Sequence, residues 1–177
     1  LWTTPKGNTL KMFGFGLLIG FVMNGTCILG AFLHGDIKLY FDSFRPISFV
    51  IIFVAVFVQC AAEEIVSRSF LFQRVYGATP IPALAVFSIL HAGNPGVTPF
   101  ALISIVLVGF FLALMVYYMD SVWAAFGMHT AWNFCQNIIF GLPNSGLVMP
   151  YSVLKLDAST ASDSFFYNVD FGVESTG

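Results

Sequence analysis

Residues 49–74 read FVIIFVAVFVQCAAEEIVSRSFLFQR. A run of fourteen residues suited to the middle of a bilayer, 49–62, leads directly into Glu63, Glu64 and Arg68, and apolar character resumes with Phe70, Leu71 and Phe72. No turn residue separates the charges from the apolar run, so one helix carries both. The large apolar side chains of the stretch contribute about −4 to −8 kcal/mol near a bilayer centre. Three central charges cost about 2.5–3.5 kcal/mol each on the same scale. The two sums nearly cancel, so the helix gains little from lying in lipid with its charges bare. Glu63, Glu64 and Arg68 are therefore expected to face protein or a wet cavity, where intramembrane ionisable groups are functional candidates.

The rest of the chain fits that environment. Of 177 residues, 58% are hydrophobic and 9% charged, with a mean hydropathy of +0.86. Soluble domains carry about 25% charged residues, so this is the composition of an integral membrane protein. A net charge of −2 is too small to imply nucleic acid or a polybasic lipid-binding patch. Cys27, Cys60 and Cys135 are far apart in apolar surroundings, without metal spacing, and read as buried inert thiols. The chain starts at Leu1 rather than Met, as a fragment or processed product would.

In chain order, residues 10–33 form a first span, about 36 Å of helix. Gly16 and Gly20 make a GxxxG pair there that can admit a second helix closely, within a glycine-rich background that includes Gly14 and Gly25. His34 reads as an interfacial histidine. A loop over 34–46 leads to Pro46, suited to the first turn of the next helix, and this second span covers 47–73. Gly77 to Pro80 break the chain. A short apolar helix follows at 81–92, then spans at 99–119 and 122–141, with Ser121 placed to cap the last one. Residues 142–177 are rich in Ser, Thr, Asn and Asp and read as an irregular extramembrane tail. The expected fold class is all-α: a polytopic transmembrane helical bundle of about five helices over 1–141, with that tail behind it. Lys6, Lys11 and Arg74 on one side balance Lys38, Arg45 and Lys155 on the other, so charge does not orient the chain.

The polar residues inside these spans fall into three spaced groups. Glu64 and Arg68 are i and i+4 and can pair on one helix face. Glu63, rotated by about 100°, aligns with Ser67 and is left for proton transfer. Phe87 and His91 are i and i+4, so the ring can pack under the imidazole. His129 and Asn133, again i and i+4, project an imidazole and a carboxamide from one face. A carboxylate with a histidine can activate water, and a histidine with an asparagine can stabilise an oxyanion. Taken singly, each group has a bland reading: an ion-pair clamp, a satisfied bundle histidine, an aromatic packing contact. All three occur in order, on separate helices, in a very apolar chain.

EExxxR at Glu63, Glu64 and Arg68, FxxxH at Phe87 and His91, and HxxxN at His129 and Asn133 together resemble the CAAX protease and bacteriocin-processing family of intramembrane proteases, also called CPBP or Abi. The resemblance covers residues 46–141, and GLPNSGL at 141–147 with FGVES at 171–175 resembles the segment that follows in many bacterial members. One further membrane helix often follows there in the family. The resemblance implies Glu63 as the catalytic glutamate and His91 as its partner in activating water. It implies His129 and Asn133 as the oxyanion-stabilising pair, and Glu64 with Arg68 as a supporting ion pair. Ser67 and Ser69 stand where the family often has an aromatic and a glycine, which bears on substrate fit and helix packing.

The family is often labelled metalloprotease, and Glu63, His91 and His129 are the donors that could hold zinc. There is no HExxH, and the expected mechanism is metal-free, with no cofactor and zinc as the alternative. The expected partners are membrane lipid and a peptide or lipidated protein substrate, prenylated CAAX-type or bacteriocin-like, in a multi-pass bacterial cell membrane. No nucleic acid is expected, and the oligomeric state is left open. Two other readings stand beside the protease: a non-proteolytic immunity or scaffold protein of the same fold, and a proton-coupled transporter. The transporter predicts internal pseudo-symmetry, and no repeat is visible.

Overall fold

A computed structural model describes residues 7–71 and 91–173, with the backbone alone over 69–71. Among these residues the architecture is a helical bundle with one two-stranded sheet. Helix α1 (Leu10–His34) is capped by the Thr9 hydroxyl on Met12 N and ends at Gly35, whose φ of 94° turns the chain out of the helix. Helix α2 (Pro46–Glu64) starts on proline and passes without a break into a π-helical segment, Ile65–Leu71. Helix α3 (Pro99–Met119) is capped by Thr98. A tight turn at Asp120 and the Ser121 cap start helix α4 (Val122–Phe134), which is followed by a second π-helical segment, Cys135–Ile139. Helices α1, α3 and α2 (counted to Arg68) are long and apolar enough to cross a membrane.

Helix α4 is the centre of the bundle rather than one more peripheral span. Ten of its residues are buried. Its packing on α1 explains the glycines. A Cβ on Gly16 would strike the carbonyl of Ala124, one on Gly20 the carbonyl of Met128, and one on Gly127 the carbonyl of Phe13. Further along, Asn24 Nδ2 donates to Gln136 Oε1 at 2.7 Å. The paired positions rise together along both helices, so α1 and α4 run parallel, backbone against backbone. Small residues permit that approach, and dispersion and polar contacts then hold it, since no hydrophobic effect drives helices together in lipid.

Helix α2 runs the other way. Phe49 and Phe53 both stack edge-on against Phe134, with ring centroids 4.8 and 5.1 Å apart, and Phe57 meets Phe126 further down. Tyr151 stands at the head of α2, its hydroxyl accepting from Arg45 N at 3.0 Å.

The short sheet lies outside what an all-helical reading anticipates. β1 (Leu39–Phe41), in the α1–α2 loop, pairs antiparallel with β2 (Leu154–Leu156), with Tyr40 opposite Lys155. Lys155 Nζ and Asp42 Oδ1 add an ion pair at 3.1 Å. The polar segment after the bundle is irregular but anchored by apolar side chains. Leu142, Tyr167 and Val173 pack with Ile28, Ala31 and Ile37 at the end of α1, and Phe171 packs on Ala101 and Ile105 of α3. Asp36 ties the same segment down, accepting from Ser164 Oγ at 2.5 Å and pairing with His34 Nδ1 at 2.8 Å.

Candidate active site

The two adjacent glutamates have different surroundings. The Glu64 side chain is fully buried, and its Oε1 takes Arg68 Nη1 and His129 Nδ1, both at 2.9 Å. Arg68 also donates to Ser67 Oγ at 2.7 Å and to the Gly109 carbonyl of α3 at 3.1 Å. A buried carboxylate and guanidinium hold their charges through such pairing, although both bonds to Glu64 fall on Oε1 and its buried Oε2 has no hydrogen-bond partner among the described residues. Glu63 keeps 31% of its side chain exposed, enough to reach water. Its Oε1 accepts from Gln59 Nε2 at 3.1 Å, and its Oε2 lies 3.8 Å from His129 Nε2. Ser67 does not meet the Glu63 carboxylate. Its hydroxyl donates to the Glu63 backbone carbonyl at 2.5 Å, where the π-helical turn begins.

His129 therefore bridges the pair. A carboxylate can only accept, so Glu64 sets Nδ1 as a donor and turns Nε2 toward Glu63. One turn further along α4, Asn133 Nδ2 donates to Cys60 Sγ at 3.4 Å, and Asn133 Oδ1 accepts from Asn144 Nδ2 at 3.1 Å. Glu63, His91, His129 and Asn133 all line one cavity of about 520 Å³. Its other walls are mainly apolar, with Ile105, Val108 and Leu112 of α3 and Met128 and Trp132 of α4. Both π-helical segments adjoin this cavity, one just past Glu64 and one just past Asn133. Such segments are frequent at functional sites.

Phe87 lies outside the described residues, as does the 81–92 helix apart from His91 and Ala92. Glu63, His91 and His129 do not assemble as a three-donor metal group, and no other such group of His, Cys, Asp or Glu occurs among the described residues.

Three neighbours of the site escape a reading by motif. Gln59 and Cys60 stand one turn before Glu63 and Glu64, so i, i+4 spacing already put each under a glutamate. Asn144 lies within GLPNSGL, a stretch that carries the resemblance but assigns it no role. It reaches Asn133 only because the segment after the bundle folds back, which also brings Ser145, Leu147 and Met149 to the cavity wall.

A helical membrane protein with a carboxylate, two histidines and an asparagine around one apolar cavity has the parts of an intramembrane hydrolase. Residues 45–135 match the family described as type II CAAX prenyl endopeptidase Rce1-like. The match spans more than half of the 177 residues, and the chain belongs to this family of membrane proteases. No curated protein and no solved structure gives a significant match.

Proposed function

We propose that the chain is an intramembrane endopeptidase in which Glu63 activates water with the help of His91, and His129 and Asn133 receive the oxyanion. The observation that carries this reading is the placement of Glu63 Oε2 at 3.8 Å from His129 Nε2, on the wall of a cavity shared with His91 and Asn133. Glu63 takes a proton from water as the oxygen attacks the peptide carbonyl. The carbonyl oxygen becomes an alkoxide, stabilised by the Asn133 NH2 and by Nε2–H of His129 in its imidazolium form, whose Nδ1–H stays on Glu64. The C–N bond then breaks, and the proton held by Glu63 passes to the leaving amine, giving a new carboxyl and a new amino terminus.

Glu64 and Arg68 stay out of the bond changes in this scheme. They neutralise each other and hold His129. The apolar walls suit a substrate with a lipidated or strongly apolar end, either a prenylated CAAX-type peptide or a bacteriocin-like peptide. The test uses purified protein with prenylated and unprenylated fluorogenic CAAX peptides and an apolar peptide, each with and without a zinc chelator. Cleavage lost in Glu63→Ala and indifferent to chelator is the expected result. A Glu63→Ala protein that cleaves at the wild-type rate ends the mechanism, and chelator sensitivity ends its metal-free form. A cellular phenotype that survives Glu63→Gln unchanged supports the immunity or scaffold reading instead.

A further inference from the structure

The turn at 144–147 touches both halves of the site. Asn144 and Leu147 exchange two backbone hydrogen bonds, each 2.9 Å. Between them Ser145 and Gly146 have φ of 47° and 80°, the pattern of a primed two-residue turn. Gly146 lies against the Pro95 carbonyl so closely that a Cβ would strike it. Pro95 belongs to the loop leaving His91, where Asn94 N donates to His91 O at 3.1 Å. On its other side the turn gives Asn144 Nδ2 to Asn133 Oδ1 at 3.1 Å. Asn144 is buried, with 6% of its surface exposed.

A carboxamide is nearly symmetric in shape but not in chemistry: one end accepts and the other donates. Asn133 must present its NH2 end to stabilise an oxyanion, because its oxygen would repel one. Packing alone does not choose between the two orientations. A donor on the oxygen side favours one, since a flipped Asn133 would set two NH2 groups face to face unless Asn144 turned with it, and would also take its NH2 off Cys60 Sγ. We propose that Asn144 is a positioning residue that fixes the orientation of Asn133, with the NH2 group turned to the reacting carbonyl. The proposal rests on the peptidase reading above. It gives the turn a part in the chemistry that its place after the bundle does not suggest.

The experiment measures kcat and KM on a fluorogenic prenylated CAAX peptide for wild type, Asn144→Asp, Asn144→Ala and Glu63→Gln across pH. A carboxylate at 144 accepts only, so Asn133 turns its NH2 toward it and its oxygen toward the substrate. Asn144→Asp is expected to lower kcat by about 10²-fold, the size of losing one oxyanion donor, with KM little changed. Its rate relative to wild type should recover as pH falls toward about 4, where a protonated carboxyl becomes a donor again. Asn144→Ala should lose less and show no such recovery. Equal losses in both variants with no recovery overturn the proposal, because that is what a merely structural role gives. Should Asn144→Asp not fold, Asn144→Ser is compared with Asn144→Ala: the hydroxyl donor is expected to keep the higher kcat, and equal values overturn the proposal. Wild-type kcat in Asn144→Asp beside an inactive Glu63→Gln removes this inference alone, whereas a fully active Glu63→Gln removes the reading beneath it.

Discussion

On its α1 side, helix α4 meets a wall of glycines, with Gly16 and Gly20 against its backbone and its own Gly127 against α1. On its α2 side, the same helix carries His129 and Asn133 into a cavity that holds Glu63. The first face leaves no room for a Cβ. The second leaves room for a substrate. Both faces carry buried polar groups, but they use them differently. Asn24 and Gln136 face each other at 2.7 Å, and Gln136 passes its own NH2 to the Pro143 carbonyl at 2.6 Å. Glu63, by contrast, meets His129 only at 3.8 Å and keeps an open side. A rigid seam on one face lets the opposite face hold reactive groups at fixed positions, which is what positioning for chemistry requires.

The sharpest way to break the contrast is at Glu63. Glu63→Gln should lower kcat by about 10²–10⁴-fold, the range for losing a general base, while the thermal unfolding of the purified protein stays as in wild type. A comparable fall in unfolding temperature would put Glu63 with the structural groups. Its neighbour should show the opposite pattern. Arg68→Met leaves the Glu64 carboxylate buried with His129 as its remaining partner, and should cost about 3–5 kcal/mol of stability. Unfolding in a mild detergent measures it. Adding Glu64→Leu to that variant should restore part of the loss, because two apolar groups leave no bare charge.

The glycine seam comes next. Gly20→Ala pushes a methyl group into the Met128 carbonyl, and overpacking of this kind costs about 1–3 kcal/mol. Gly14 and Gly25 have open space where a Cβ would go, so Gly14→Ala and Gly25→Ala should leave stability unchanged or raise it by up to about 1 kcal/mol through helix propensity. Equal effects at these three glycines would mean that the seam is not where α1 is held. Asn24→Ala should follow at about 1–3 kcal/mol, the cost of leaving buried Gln136 Oε1 without its donor, with no change in KM.

The smallest effect is expected at the Asp36 anchor, outside the membrane spans. Burial raises the Asp36 carboxyl, but hydrogen bonds from Ser164 and His34 outweigh burial and hold it below the usual carboxylate range. A carboxyl depressed in the folded state adds stability above its unfolded value, and loses it as pH falls through its folded one. Acid below about pH 4 should therefore loosen the 162–167 segment before the bundle opens. Hydrogen exchange across a pH series reads this directly. Asn at position 36 (Asp36→Asn) should remove the pH dependence, and loosening that persists in Asp36→Asn would assign the acid response to other groups.

The parts of the molecule legible in its residues are those set by local rules. Apolar length marked the long helices, Pro46 and Ser121 marked helix starts, and i, i+4 spacing put Glu64 beside Arg68. The site was legible as three motifs, not as an arrangement. Spacing along one helix cannot say that His129 bridges Glu63 and Glu64, since 65 residues separate it from Glu64 in the chain. The central position of α4 was also hidden. Its residues are no more apolar than those of its neighbours, because in lipid the buried and the lipid-facing sides of a helix are both apolar. Hydrophobic periodicity, which separates inside from outside in water, carries little information there.

The segment after the bundle was the least legible. Its polar, aperiodic composition describes a solvated chain, and only a few well-spaced side chains, Leu142, Tyr167, Phe171 and Val173, pin it down. By itself the sequence determined that this protein lies in a membrane, that its charges must be sheltered, and which helices bring a carboxylate, an imidazole and a carboxamide. Tertiary structure alone decided that His129 bridges the two glutamates, that glycines seal α4 to α1, and that Asn144 meets Asn133. The first set follows from transfer energies and helix geometry, which act residue by residue. The second depends on contacts between segments far apart in the chain, and those exist only once the bundle has closed.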